Sequence, residues 1–104
     1  MSDRINPMLG KYVIVRCRDA GVHAGVLEYQ AGRECVITDA RRLWYWKVAP
    51  GAGDFLNGVA LKGLAKGSKV GASVPRIHLT ENCEIIETTS EAEASIREYA
   101  IHGA

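Results

Sequence analysis

Lys11-Tyr12-Val13-Ile14-Val15-Arg16-Cys17-Arg18 is the stretch on which the reading of the fold turns. Val13, Val15 and Cys17 alternate with Tyr12, Ile14, Arg16 and Arg18, and a period of two is that of a strand with unlike faces. Working outward, Asp19-Ala20-Gly21 signals a turn and Val22 to Tyr29 reads as a second strand. Gly25 lies inside it, where glycine marks a bulge or a sharp bend of the kind a small closed barrel needs. Ala31-Gly32-Arg33 turns the chain again into a third strand from Glu34 to Ala40. These three segments predict an antiparallel meander and a mainly β fold.

The third strand can be continued through Ala40-Arg41-Arg42-Leu43-Trp44-Tyr45-Trp46-Lys47, which holds both tryptophans of the 104-residue chain. Unbroken alternation would put Arg42, Trp44 and Trp46 on one side and Arg41, Leu43, Tyr45 and Lys47 on the other. Indole faces attract guanidinium groups and offer stacking to nucleobases worth roughly 1 to 3 kcal/mol per base. Ligand contact, a subunit interface and a monomer core are the three readings this stretch allows, since Trp, Tyr and Arg also dominate interface hot spots.

Charge is placed unevenly around it. The chain carries a net +1, yet residues 41–76 hold seven Lys/Arg against one Asp/Glu, and residues 77–104 hold one against six. Such a basic centre suits a phosphate-bearing ligand, or else pairs with the acidic tail of its own or a neighbouring chain. Gly58, Gly63, Gly67 and Gly71 interleave with Lys62, Lys66 and Lys69. No phosphate-loop spacing is present. The segment therefore reads as a flexible hairpin of solvated lysines, with phosphate contact by Lys62, Lys66 or Lys69 as the alternative. Phe55 to Leu61 suits either a strand or a helical turn.

Towards the C-terminus, Val74-Pro75 opens a strand region to Thr88, broken by a bulge or turn at Glu81-Asn82. Ser90-Glu91-Ala92-Glu93 matches a capping box, and Ala92, Ile96 and Tyr99 recur at helical spacing. A short amphipathic helix is predicted over about 91–101, within a single small-barrel domain spanning 1–104. Cys17, Cys35 and Cys83 sit in apolar runs without ligand spacing, as buried thiols of a reducing compartment would. His23, His78 and His102 form no triad or metal motif. The expectation is a non-enzyme with no catalytic residue, no metal and no cofactor. Met1 to Pro7 lacks an apolar leader, and no apolar run approaches a membrane span of roughly 18 residues, so the expected location is the cytoplasm.

Two resemblances add to this. Leu9 to Val15, Ala24 to Leu27 and Val36 to Ala40 resemble the opening strands of Sm-like and SH3-type small barrels, which implies ring formation and RNA binding. Gly10 to Arg16, Ala40 to Trp46, Asn57 to Gly63 and Ile85 to Glu87 resemble an uncharacterised family of small phage and prophage proteins. That likeness implies a viral protein of the host cytoplasm that binds a host component, such as a nucleotide signal of antiviral defence. The combined expectation is a homo-oligomeric SH3/Sm-like barrel that sequesters a phosphorylated, base-containing small molecule. Arg41, Arg42, Trp44, Tyr45, Trp46, Lys47, Lys62, Lys66 and Lys69 are its candidate ligand-binding residues. Single-stranded nucleic acid, or a host protein inhibited by a protein-interaction module, are the alternative partners.

Overall fold

Alternation in Lys11 to Arg18 builds the middle of the sheet. In the computed structural model, which describes residues 6–104, Tyr12–Cys17 form β1 and bury both faces. Val22–Ala31 form β2 and Glu34–Tyr45 form β3, and each pairs antiparallel with its neighbour in the predicted meander. After a loop come α1 (Leu56–Lys62), β4 (Lys69–Val70), β5 (Val74–Leu79), β6 (Asn82–Glu87) and α2 (Ser90–Glu98). The reading of Met1 to Pro7 concerns a segment whose residues 1–5 lie outside the described residues.

All six strands belong to one antiparallel sheet, in the order β4-β3-β2-β1-β6. β5 also pairs with β3, using Cys35–Ala40, while β4 uses Leu43 and Tyr45 further along. The sheet is not closed: among the described residues no ladder joins β5 to β6, although only Thr80 and Glu81 separate them.

Two cores follow from the pleat of β1. Val13, Val15 and Cys17 pack with Leu27, Cys35, Ile37, Ala40 and Leu79 on the face around which the strands curl. Tyr12 and Ile14 point the other way, into a cluster with Ala24, Leu43, Leu56, Val59, Ala60, Val70 and Ile96. The second cluster is covered by both helices. In α1 the buried Leu56, Val59 and Ala60 recur at i, i+3 and i+4, a helical period, which decides the Phe55 to Leu61 ambiguity in favour of helix. Gly63 ends α1 at φ 91°, and a side chain there would run into Ser95 of α2.

The predicted helix 91–101 is shorter and starts earlier than expected. Thr89, not Ser90, is the N-cap, accepting from the Ala92 amide at 3.1 Å, and the helix ends at Glu98 with Tyr99 as its C-cap. Ile101 instead bridges Val70. Cys17 and Cys35 are buried as expected, and burial pushes the Cys35 thiol up to about 11. Cys83 is exposed, as the extra residue of a bulge in β6 between Asn82, which faces Cys17, and Glu84, which faces Arg16.

One irregularity sets the course of β3. Val26 faces Thr38 and Ala24 faces Arg41, so β3 carries one more residue than β2 between these pairs. Asp39 takes φ 49°, the left-handed conformation an Asp tolerates better than most. Gly25 lies opposite, where an added Cβ would be 2.7 Å from the Thr38 carbonyl oxygen. The sequence-level inference of a bulge at Gly25 thus describes the structure, with the extra residue on the partner strand. Gly25→Ala is expected to lower stability by about 1 to 3 kcal/mol, as overpacking against backbone does; urea unfolding checks it, and a loss near zero would show that the bulge relaxes freely.

Tyr12 supplies a second test. Its hydroxyl is buried with no hydrogen-bond partner among the described residues, and burial raises its pKa to about 12, against the opposing pull of Arg97 and Arg41. A tyrosine whose folded pKa is raised keeps its full contribution below pH 10 and loses it as pH climbs from about 10 to 12. Tyr12→Phe should therefore leave stability at pH 7 unchanged or higher. It should also flatten the fall seen by urea unfolding from about pH 10 towards pH 12.

Candidate functional site

The stretch Ala40 to Lys47 is arranged by two bulges, and they divide the predicted site residues. Beyond the Gly25 bulge the parity of β3 is reversed, so that Arg41 and Leu43 turn towards the helix-covered core. Arg41 is only 4% exposed. Its Nε donates to the Gly71 carbonyl at 2.8 Å, and Nη1 donates to the carbonyls of Ile96 and Tyr99 at 2.7 Å each. These last two oxygens belong to the C-terminal end of α2, where four carbonyls lack helical partners and the dipole favours a cation. Arg41 is therefore a clamp inside the protein, and its guanidinium does not face a ligand.

A second bulge lies at Trp44. Leu43 pairs with Val70 and Tyr45 with Lys69, so two steps on β3 match one on β4. Trp44 and Tyr45, consecutive in sequence, are consequently both exposed, at 69% and 48%. Trp46 turns inward and packs against the core with Val48. The bulge shifts the alternation by one, so Trp46 is half-buried where Trp44 is exposed, yet Arg42, Trp44 and Trp46 all line one groove.

Lys69 lies between the two exposed rings, its Nζ 5.0 Å from the Trp44 centroid and 5.8 Å from that of Tyr45. His102 stands on Trp44 at 5.8 Å between centroids, tilted by 44°. It is held there by its own amide, which donates to the Val70 carbonyl at 2.9 Å. Nothing in the sequence pointed to His102, since it follows the end of α2 and reaches the site only through the Ile101 bridge. Beside Trp44, a groove of about 250 Å³ runs between the Asp19–Val22 turn and Arg42, with Trp46 at its floor.

The glycine-lysine segment is more tightly held than a flexible hairpin. Ser68 is buried; its hydroxyl donates to the Ala65 carbonyl at 2.8 Å and accepts from the Lys47 amide at 2.9 Å. The aliphatic chain of Lys47 lies over Gly67, where a Cβ would meet it at 3.3 Å. Lys66 is exposed in the intervening turn. Lys62 stands apart, at the end of α1, with Nζ 3.9 Å from a Glu91 oxygen.

Electrostatically, the acidic tail neutralises little of the basic middle, where it reaches only Lys62 among the described residues. Glu81, Glu84 and Glu87 pair with Arg18, Arg16 and Lys11 of the first strand region. Among the described residues, no ion pair engages Arg42, Lys47, Lys66 or Lys69. The structure thus brings together Arg42, Trp44, Tyr45 and Lys69 with His102, and places Lys47 two residues beyond the end of β3. Arg41 and Lys62 are used elsewhere, and Trp46, half-buried, lines the groove beside Trp44.

His23 is a structural group. It is buried on β2, and its Nε2 donates to the Ala20 carbonyl at 2.9 Å, while burial lowers its pKa and keeps the ring neutral. His78 contacts Glu34 at 2.9 Å on the surface. Among the described residues no His, Cys, Asp or Glu cluster has the geometry of a metal site.

The two adjacent arginines should separate cleanly. Arg41→Met is expected to cost about 2 to 3 kcal/mol in urea unfolding, since it strips donors from buried carbonyls. Arg42→Met, at an exposed position, should stay within about 0.5 kcal/mol.

Comparison with other proteins returns one similarity. No curated protein and no solved structure matches the chain. Residues 10–96, from the start of the first strand region into α2, match the family described as "Domain of unknown function (DUF6948)", and the chain belongs to that family.

Proposed function

We propose that the protein binds, without chemically transforming it, a phosphorylated, base-containing ligand at the Trp44 platform. The observation that carries this is an indole exposed over most of its surface next to an ammonium group and beside an exposed tyrosine. A lone exposed ring needs no explanation, but two rings around one cation form a surface suited to a flat π-system with attached negative charge. A base stacks on the open side of Trp44. Arg42, Lys69 and Lys47, which have no carboxylate partners among the described residues, then meet phosphate.

The same chemistry serves a nucleotide-derived small molecule or a single strand of nucleic acid. We favour the small molecule, because the groove beside Trp44, at about 250 Å³, approaches the size of a ligand pocket and is flanked by Arg42. One observation favours the strand: Trp44 and Tyr45 are both open to solvent, as successive stacking positions along a strand would be. In the phage setting that the resemblance implies, capture of the small molecule would withdraw a signal of host antiviral defence in the host cytoplasm. Among the described residues no helix is long and apolar enough to cross a membrane. We also read the curled sheet as an open barrel of SH3/Sm-like type. Its seam lies between β5 and β6, where Ile77, Leu79 and Ile85 close over the inner core.

Calorimetric titration with cyclic dinucleotides, ADP-ribose derivatives and short oligonucleotides tests the reading. Trp44→Ala should weaken binding by roughly ten-fold or more, as expected for one lost stacking contact. Arg42→Ala should weaken it further. A shallow salt dependence supports the small molecule, while a steep linear fall of log affinity with log salt supports the strand. No heat with any of these, or unchanged affinity in both variants, would sink the proposal.

A further inference from the structure

Trp46 is shared by two grooves. One is the groove beside Trp44, which Arg42 and Asp19 also line. The other, of about 320 Å³, is lined by Lys47, Val48, Asp54 and Ala65. Each groove thus holds an indole, a cation and a carboxylate. None of these four charged side chains makes an ion pair among the described residues. For the carboxylates that is unusual in this chain: of the described Asp and Glu side chains, only Asp19, Asp54 and Glu98 stay unpaired. Two of the three line these grooves. Asp54 is also the one Asp or Glu within residues 41–76, against seven Lys/Arg. The cations of such a setting attract phosphate and its carboxylates repel it. Asp19 and Asp54 therefore suit a part of the ligand that donates hydrogen bonds.

On the basis of the nucleotide reading of the Trp44 platform, we propose that the two grooves form one site for a ligand with two guanine bases joined through phosphate. Asp19 and Asp54 each read one base. Guanine alone among the common bases carries two adjacent donors on its pairing edge, N1–H and N2–H, and a carboxylate accepts both side by side, as it accepts an arginine fork. Adenine and cytosine set a ring-nitrogen lone pair beside the amino group, which a carboxylate repels. Uracil flanks its one N–H with two carbonyls. Size agrees with a two-base ligand. Ligand pockets span roughly 300 to 1,000 Å³; the groove beside Trp44 falls short of that range, the second barely enters it, and together they lie inside it. The half-buried Trp46 serves both grooves, and Arg42 and Lys47 stand one in each to meet the linking phosphates. A sequence-tolerant binder of single strands has no use for carboxylates there, since they repel the backbone and discriminate among bases.

Calorimetric titration of the full chain with cyclic di-GMP, cyclic di-AMP and GMP tests the assignment. Cyclic di-GMP should bind in equimolar amount and roughly ten-fold or more tighter than cyclic di-AMP, the discrimination expected of a good bidentate contact. It should exceed GMP, which fills one groove only, by a similar factor. Asp19 and Asp54 are both exposed, so Asp19→Asn and Asp54→Asn should fold as the wild type does. Each should narrow the preference for guanine over adenine, because the amide presents a donor where the second guanine N–H needs an acceptor. Trp44→Ala, by contrast, should weaken both dinucleotides alike. Equal affinity for the two dinucleotides, GMP bound as tightly as cyclic di-GMP, or a guanine preference that survives either Asp substitution would overturn the inference and leave the Trp44 reading standing. Binding of no nucleotide at all would overturn both.

Discussion

Everything distinctive about this protein depends on one close approach, between Gly25 of β2 and the backbone of β3 at Thr38 and Ala40. A strand presents alternate residues to opposite faces, and a single extra residue exchanges the faces for all that follows. Before the bulge, Cys35 and Ile37 fill the core around which the sheet curls; after it, Leu43 fills the core beneath the helices. β3 is thereby able to serve two cores with one continuous chain. It also changes partner, from β5 to β4, across the same region. Only a residue without Cβ allows Thr38 to come so near, which explains a glycine in the middle of an otherwise apolar strand.

Reversed parity also explains why two adjacent arginines have unrelated roles. Arg41 enters the interior without a carboxylate partner, yet the carbonyl ends of α2 receive its hydrogen bonds and the helix dipole stabilises its charge. This ties the C-terminal helix to β3 more firmly than the exposed ion pairs do, since each of those contributes at most about 1 kcal/mol. Arg97 of the same helix lies 4.7 Å over the Tyr12 ring, so the helix is held from two sides of one core. The second bulge then places Trp44 and Tyr45 together on the surface. Rigid support below and exposed rings above are the arrangement a preorganised binding surface requires.

Charge follows the same division. In sequence, an acidic tail follows a basic middle, and the simplest expectation is that they neutralise one another. The topology prevents most of this. β6 returns beside β1, so Glu84 and Glu87 and the neighbouring Glu81 meet Arg16, Lys11 and Arg18; of the middle segment's cations Lys62 reaches Glu91 and Arg76 reaches Glu28, while Arg42, Lys47, Lys66 and Lys69 stay without acidic partners among the described residues. The two grooves that share Trp46 therefore keep a free cation each, Arg42 in one and Lys47 in the other, and the Trp46 ring is held against the core between them.

Sequence by itself determined the local elements. Alternation in Lys11 to Arg18 specified a strand, though a half-buried one where both faces prove buried, Gly25 pointed to a bulge or sharp bend, and the spacing of Ala92 and Ile96 specified the last helix to within a few residues. These are short-range consequences of pleat and helix period, and they survive because the apolar residues agree with them. The face taken by each residue from Arg41 to Trp46 was decided by tertiary structure alone. Parity after a bulge depends on which strand carries the extra residue, and that is settled by the partner strands and not by the chain itself. The recruitment of His102 to Trp44, the capture of Arg41 by α2 and the exposure of Cys83 at a sheet edge have the same origin. Each depends on which distant segment lies alongside, information that no local pattern of residues contains.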